Sequence, residues 1–329
     1  MPVSGKSTTI KTMIDKLEKS GYDKSNIHLV STGKKFREYF NLIVDVIRNS
    51  ENLEQFDIDF PDNEIRSLFA SKEFKESLIQ TILQLKKINY DTQKFSIEEA
   101  NNLEQFKDIR AMIDRTIDEN IENLGKNINQ TEHKDEIWII DSRLAFHNIP
   151  SSFAVRLTID EDIAAKRLLN DSSRGKEDNS YRNLEEAKEA VISRTKGEIK
   201  RYKERYNIDL EDVDNYNLLI DTSYSTTDDI ADIILSCNDR FMQGKDDYAK
   251  NWASPKRFLP LQTERETLGR GLSMNMDEMI ERIKSDGYNP LKPINTIKVD
   301  GRYYIIDGHH RNFGAALAGK TLVSYNVMA

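Results

Sequence analysis

The chain has 329 residues, 38% of them hydrophobic and 32% charged, a length suited to two domains or one large one. No apolar run approaches the roughly 20 residues of a membrane-spanning helix and no basic-then-apolar leader opens the chain, so a cytoplasmic protein without membrane attachment is expected. The net charge of −8 argues against coating nucleic acid by charge alone, and one cysteine, Cys237, excludes an internal disulfide.

In chain order, Gly5-Lys6-Ser7-Thr8 has the form of the end of a P-loop, G-x-x-x-x-G-K-[ST]. Such a loop surrounds phosphate oxygens with backbone N–H groups and a helix N-terminus. Its lysine reaches the β and γ phosphates, and its serine hydroxyl ligates Mg²⁺. Counting back from Gly5, the first glycine of the motif falls one place before Met1. A half-loop without its delivering strand is therefore expected, and with it a weak or inactive kinase.

Residues 8–20 predict an amphipathic helix, with Ile10, Met13, Ile14 and Leu17 at helical spacing. "GYDKS" breaks it and "NIHLVS" predicts a strand. Residues 35–130 are polar and mostly helical in pattern. Six acids and no bases between Glu51 and Glu64 read as a solvated segment, and "NLEQF" at 52–56 and 102–106 reads as coincidence or a local duplication. "EIWIID" (136–141) and "SFAVRLTID" (152–160) predict strands, with Asp160 as N-cap of the helix that follows. A charged helix is expected over 183–206, a strand at "YNLLIDTS" (216–223) and a helix at "TTDDIADIILSC", where Cys237 reads as a small buried hydrophobe. Alternation of this kind predicts an α/β fold with helices on both faces of a parallel sheet.

Residues 238–256 lose periodicity and read as a linker. Beyond them come a helix, a strand, a tight Asp300-Gly301 hairpin, a strand, and a loop opening another helix. "RFLPLQ" (257–262) reads as the first strand of this part.

Four separated motifs stand together. After the half P-loop, "VSTGKKFREYF" (30–40) follows the second predicted strand and "IIDSRLA" (139–145) ends the third. "SRTKGEIKRYKERYNID" (193–209) precedes the last, with six bases and two acids over 194–205. Their order resembles the cytidylate kinase branch of the nucleoside monophosphate kinases, particularly its archaeal-type members, over about residues 1–235. The matching residues are Ser31, Thr32, Gly33, Phe36, Arg37 and Glu38; Asp141, Arg143, Leu144 and Ala145; and Arg194, Glu198, Arg201 and Tyr202.

The resemblance implies ATP and Mg²⁺ at Gly5, Lys6, Ser7 and Thr8. The acceptor, a nucleoside monophosphate or similar phosphorylated small molecule, would meet Thr32, Gly33, Arg37, Asp141 and Arg143. Arg37 and Arg143 would grip its phosphate and Asp141 its base. Arg194 and Arg201, with Arg174, would close as a lid. Phosphoryl transfer needs positioning and positive charge more than covalent chemistry, which suits such a basic helix in an acidic chain. Lys34 stands where the family carries an acid, and Ser142 where it carries glycine.

"INTIKVDGRYYIIDGHHRNFGAALAGK" (294–320) resembles the ParB/sulfiredoxin-like superfamily through Asp307, Gly308, His309, His310 and Arg311. That resemblance implies a second phosphate site, closer to the free-serine kinases than to sulfiredoxin, whose reactive cysteine is absent. One histidine capping the loop while the other packs is the plainer reading of the pair.

The expectation is therefore a P-loop nucleoside-monophosphate-kinase-like parallel sheet flanked by helices (1–236), a linker (237–256) and a small α+β ParB/sulfiredoxin-like domain (257–329). The expected function is ATP-dependent phosphoryl transfer to a nucleotide-like acceptor. The alternatives are a DNA- or nucleotide-binding protein with a degenerate P-loop half, and a small-molecule kinase acting through the C-terminal domain.

Overall fold

Apolar residues spaced three to four apart become helices, and the short β-branched runs between them become mostly parallel strands, an α/β architecture. The computed structural model describes residues 3–49, 63–88, 97, 100, 103–130, 136–170, 181–261 and 275–328. The acid-rich stretch as far as residue 62, the first "NLEQF" and Arg174 lie outside the described residues. The chain divides into two units, residues 25–152 on one hand and residues 1–24 with 153–329 on the other.

In the first of these, β1 (Ile27–Ser31) and β2 (Ile137–Asp141) pair in parallel, with Ser31 opposite Asp141 at their carboxyl ends. Between them run α2 (Thr32–Asn49), α3 (Asn63–Ala70), α4 (Lys72–Lys87) and α5 (Lys107–Gln130), and α6 (Ala145–Asn148) follows β2. The polar helical stretch thus supplies its own core, in which Ile43, Ile65, Phe74, Phe106, Ile109 and Ile113 are fully buried. Each such side chain contributes roughly 1.5–3 kcal/mol. Near its C-terminal end α5 carries Gly125, and Ile149 fills the space a side chain would take: a Cβ there would lie 2.6 Å from Ile149 Cγ1.

The second unit contains α1 (Lys6–Lys19), β3 (Val155–Thr158), α7 (Glu161–Asn170), α8 (Leu184–Tyr206), β4 (Leu218–Asp221) and α9 (Thr227–Met242). It continues through β5 (Asn251–Ala253), β6 (Phe258–Pro260), α10 (Met276–Asp286), β7 (Ile294–Val299), β8 (Arg302–Asp307), α11 (His309–Leu317) and β9 (Val323–Val327). Among the described residues these strands make one seven-stranded sheet, ordered β3-β4-β5-β9-β7-β8-β6. Every residue of β4 is buried, which requires cover on both faces. Lys16 ties α1 to α9 through Asp228 at 2.9 Å and Asp232 at 2.8 Å. Cys237 is buried on α9, and that burial pushes its thiol up to about 11.

The stretch expected as a linker, 237–256, is built into the sheet instead. Helix α9 runs on to Met242, and β5 pairs in parallel with β4 and antiparallel with β9. The cause is Trp252, which is buried among Leu218, Ile220, Ile234 and Leu322 while its Nε1 donates to Ala249 O at 2.9 Å. A three-residue strand is too short to show a period, so the sequence pattern could not reveal it.

Strand β5 therefore makes the sheet continuous from β3 to the C-terminal strands. That sheet must also curl. Strands β9 and β6 stand three positions apart in the order, about 14 Å in a flat sheet, yet the rings of Tyr325 on β9 and Phe258 on β6 lie 5.2 Å apart. Ala253 and Phe258 accordingly share one apolar cluster with Ile294, Ile305, Ala315, Val323 and Tyr325. The hairpin between β7 and β8 turns at Asp300 and Gly301, with φ of 48° and 77°, the doubly positive pair that a two-residue hairpin turn uses.

Candidate active site

A helix whose first turn has neither a capping side chain nor an acid turns an uncompensated positive dipole end to whatever lies ahead of it. Helix α1 begins this way. Gly5 precedes it with φ 78°, no side chain caps it, and its first turn, Lys6-Ser7-Thr8, has no acid. Helix α11 repeats the arrangement behind Gly308, at φ 96°. By contrast α4, α8, α9 and α10 each begin with a side-chain cap (Ser71, Asn183, Thr226, Asn275) and an acid in the first turn. Among the described residues, the two helices that the motifs single out are thus those with glycine at the cap.

The turn before α1 is held from the end of β4. Thr222 Oγ1 lies 3.0 Å from the carbonyl of Ser4, itself buried, and 3.0 Å from that of Thr158. Arg167, on α7, donates from Nη2 to Thr222 O at 2.6 Å and Ser223 O at 3.3 Å, and from Nη1 to Val3 O at 3.5 Å. Its guanidinium lies 3.9 Å from where a Cβ on Gly5 would stand. Burial lowers the Arg167 pKa while the nearby Asp221 charge works the other way.

No motif pointed to Arg167, because its partners are backbone carbonyls distant in sequence, those of Val3, Thr222 and Ser223. Asp160 was legible as an N-cap, and its Oδ1 accepts from the N–H groups of Asp162 at 3.0 Å and Ile163 at 3.3 Å. Its other oxygen accepts from Arg257 Nη1 at 2.6 Å, which the sequence did not announce.

The residues expected at the acceptor fall in the other unit, at the carboxyl ends of β1 and β2. Thr32 Oγ1 donates to Asp141 O at 3.2 Å, and Ser31 Oγ lies 3.4 Å from Asp141 Oδ2. Gly33 stands in the first turn of α2, where a Cβ would lie 3.7 Å from Arg37 Nη1. Arg143 follows Asp141 by two residues, in the turn before α6. The structure thus sets Thr32 against Asp141, with Gly33 and Arg37 one turn apart on α2.

On α8, Arg194 and Arg201 are exposed, and Arg201 lies over the ring of Tyr202 at 5.3 Å. At the second glycine-led helix, Arg311 Nη2 turns back to Asp307 Oδ2 at 2.7 Å and Pro293 O at 3.1 Å. It crosses the face of Gly308, where a Cβ would lie 2.9 Å from Nη2 and 3.3 Å from the Ile294 backbone. This close approach, with the positive φ, is why glycine stands there. His309 is buried and His310 half-buried.

Known proteins similar to parts of this chain are nucleotide enzymes. A cytidylate kinase of Methanosarcina barkeri is 31% identical over 114 residues, 34% of this chain and 59% of that protein. A cytidylate kinase of Sulfolobus acidocaldarius is 28% identical over 154 residues, 47% of this chain and 68% of its own. An S-adenosylmethionine-dependent nucleotide dehydratase of Lacinutrix mariniflava is 30% identical over 100 residues, 30% of this chain and 19% of that enzyme. The chain spans less than two thirds of the length of the Methanosarcina kinase and about a fifth of that of the dehydratase. No family model and no solved structure matches it. The similarities support a kinase-like region.

Proposed function

We propose that this chain transfers the γ-phosphoryl group of ATP to a nucleoside monophosphate or a similar phosphorylated small molecule. The observation that carries the reading is the uncapped, glycine-led start of α1 at Gly5-Lys6-Ser7-Thr8, in a chain partly similar to cytidylate kinases. Lys6 neutralises the β and γ phosphates. Ser7 supplies a hydroxyl of the kind Mg²⁺ takes alongside phosphate oxygens and water, and the cation would offset charge on the phosphates. The absence of an acid from the first turn of α1 suits such a ligand, since a carboxylate there would repel it.

Arg37 and Arg143 take the acceptor phosphate and Asp141 its base, with Thr32 and Gly33 lining the approach. Arg194 and Arg201 supply mobile positive charge, as a lid helix does. The glycine-led start of α11 favours a second anion-binding role for Gly308, His309 and His310, with Asp307 and Arg311 bracing the turn.

The test is a thermal-shift panel of nucleoside mono-, di- and triphosphates with Mg²⁺, followed by a phosphate-transfer assay. At 100 times its Kd a ligand stabilises by about 2.7 kcal/mol. Lys6→Ala is expected to lower transfer by roughly 100-fold or more, and His309→Ala to leave it within a few-fold. Loss of transfer on His309→Ala alone would place the chemistry in the C-terminal part and overturn this reading.

A further inference from the structure

The nucleotide turn is braced by a residue of the C-terminal part. Arg257 leads directly into β6, and the carbonyl of Pro255, two residues earlier, accepts from Asn312 Nδ2 of α11 at 3.4 Å. Phe258, the next residue, packs against Tyr303 and Tyr325. By chain and by packing Arg257 thus belongs with the D-G-H-H-R module. Its guanidinium nevertheless points the other way, into the carboxyl ends of β3 and β4.

There Nη1 meets Asp160 Oδ2 at 2.6 Å and Nε meets Asp221 Oδ2 at 2.9 Å. Asp221 is buried and its other oxygen, Oδ1, accepts from the N–H of Ser223 at 2.9 Å. Ser223 Oγ in turn accepts from the N–H of Asp160 at 2.9 Å. Between Asp221 and Ser223 lies Thr222, whose hydroxyl holds Ser4 and whose carbonyl holds Arg167.

We propose that Arg257 is a positioning residue for the nucleotide site: by pinning Asp160 and Asp221 it fixes the Thr222–Ser223 turn, and through Thr222 and Arg167 it fixes the backbone of Val3–Gly5 at the start of α1. The C-terminal module is thereby a structural part of the nucleotide site, not an appended binding module. The inference rests on the assignment of α1 as the phosphate-binding helix.

A planar guanidinium can reach two carboxylates at once, and a lysine ammonium cannot do so with the same geometry. Removing it leaves two carboxylates in a largely buried place, so the turn between them reorganises.

The experiment uses the full chain and three variants. Arg257→Ala and Arg257→Lys remove or degrade the brace. Gly314→Ala, whose new Cβ would press on Met279 Sδ at 3.2 Å, perturbs α11 packing without touching the Asp160–Asp221 turn and serves as control. MgATP affinity is measured for each, and amide hydrogen exchange is followed over residues 3–9 and 222–226.

Arg257→Ala is expected to weaken MgATP binding by about ten-fold and to speed exchange in those two segments. Arg257→Lys should fall between it and wild type, and Gly314→Ala should leave both readouts unchanged. Equal affinity and equal local exchange in wild type and Arg257→Ala would overturn the inference while leaving the kinase reading intact. Wild type that does not bind MgATP would overturn the kinase reading; the exchange comparison then still decides whether Arg257 braces the turn. If Arg257→Ala does not fold, Arg257→Lys carries the same comparison.

Discussion

At the scale of single residues, Asp160 shows how one side chain serves two levels of structure. One carboxylate oxygen caps α7 and the other takes Arg257. Partial burial works to raise its pKa, but the Arg257 hydrogen bond and charge, with the N–H groups of Ile163 and Asp162, outweigh that and hold it below the ordinary carboxylate range. An unfolded Asp titrates near about 3.9. The stability this group contributes is therefore present above about pH 4 and lost as pH falls through the lower folded value. Asp160→Asn is expected to cost about 1–3 kcal/mol at neutral pH, with the difference from wild type shrinking at pH 3. Urea unfolding of both proteins at the two pH values checks this, and a pH-independent difference would contradict the ion-pair account.

At the scale of elements, the junction of α5 with the residue after α6 is set by the absence of a side chain. Gly125 lies within a helix, where alanine would ordinarily be favoured by about 1 kcal/mol. With Ile149 in place, Gly125→Ala forces overpacking and is expected to destabilise by about 1–3 kcal/mol. In an Ile149→Ala background the same change should become neutral or stabilising. The double-mutant cycle, read by chemical denaturation, tests the contact directly, and additive effects would refute it. The same logic separates legible from illegible elements. Strand β2 could be read from "EIWIID", and α1 from its helical spacing. Strand β5 could not, because three residues held by one buried tryptophan have no pattern to show.

At the scale of the whole molecule, the described sheet makes the C-terminal strands an extension of β3 and β4 rather than a tethered neighbour. Trp252 and Leu322 complete the core over β4, and β5 covers what would otherwise be an open edge. A chain ending at residue 245 is therefore expected to lose the cooperative unfolding transition of the full chain and to aggregate. Calorimetry and light scattering would reveal this. A well-behaved fragment with the full chain's transition would show that the C-terminal strands are an independent appendage.

The sequence by itself determined the α/β class, most of the helices and strands, the two glycine-led helix starts and the Asp160 cap. Each of these depends on neighbours within a few positions along the chain, through side-chain spacing, capping chemistry or positive φ. Tertiary structure alone decided that residues 251–253 join two groups of strands, that Ile149 occupies the place of a side chain on Gly125, and that Arg257 and Arg167 converge on the turn after β4. Those contacts join residues from about 24 to more than 160 positions apart, and such pairings follow from how the sheet curls and the core closes, which no local pattern encodes.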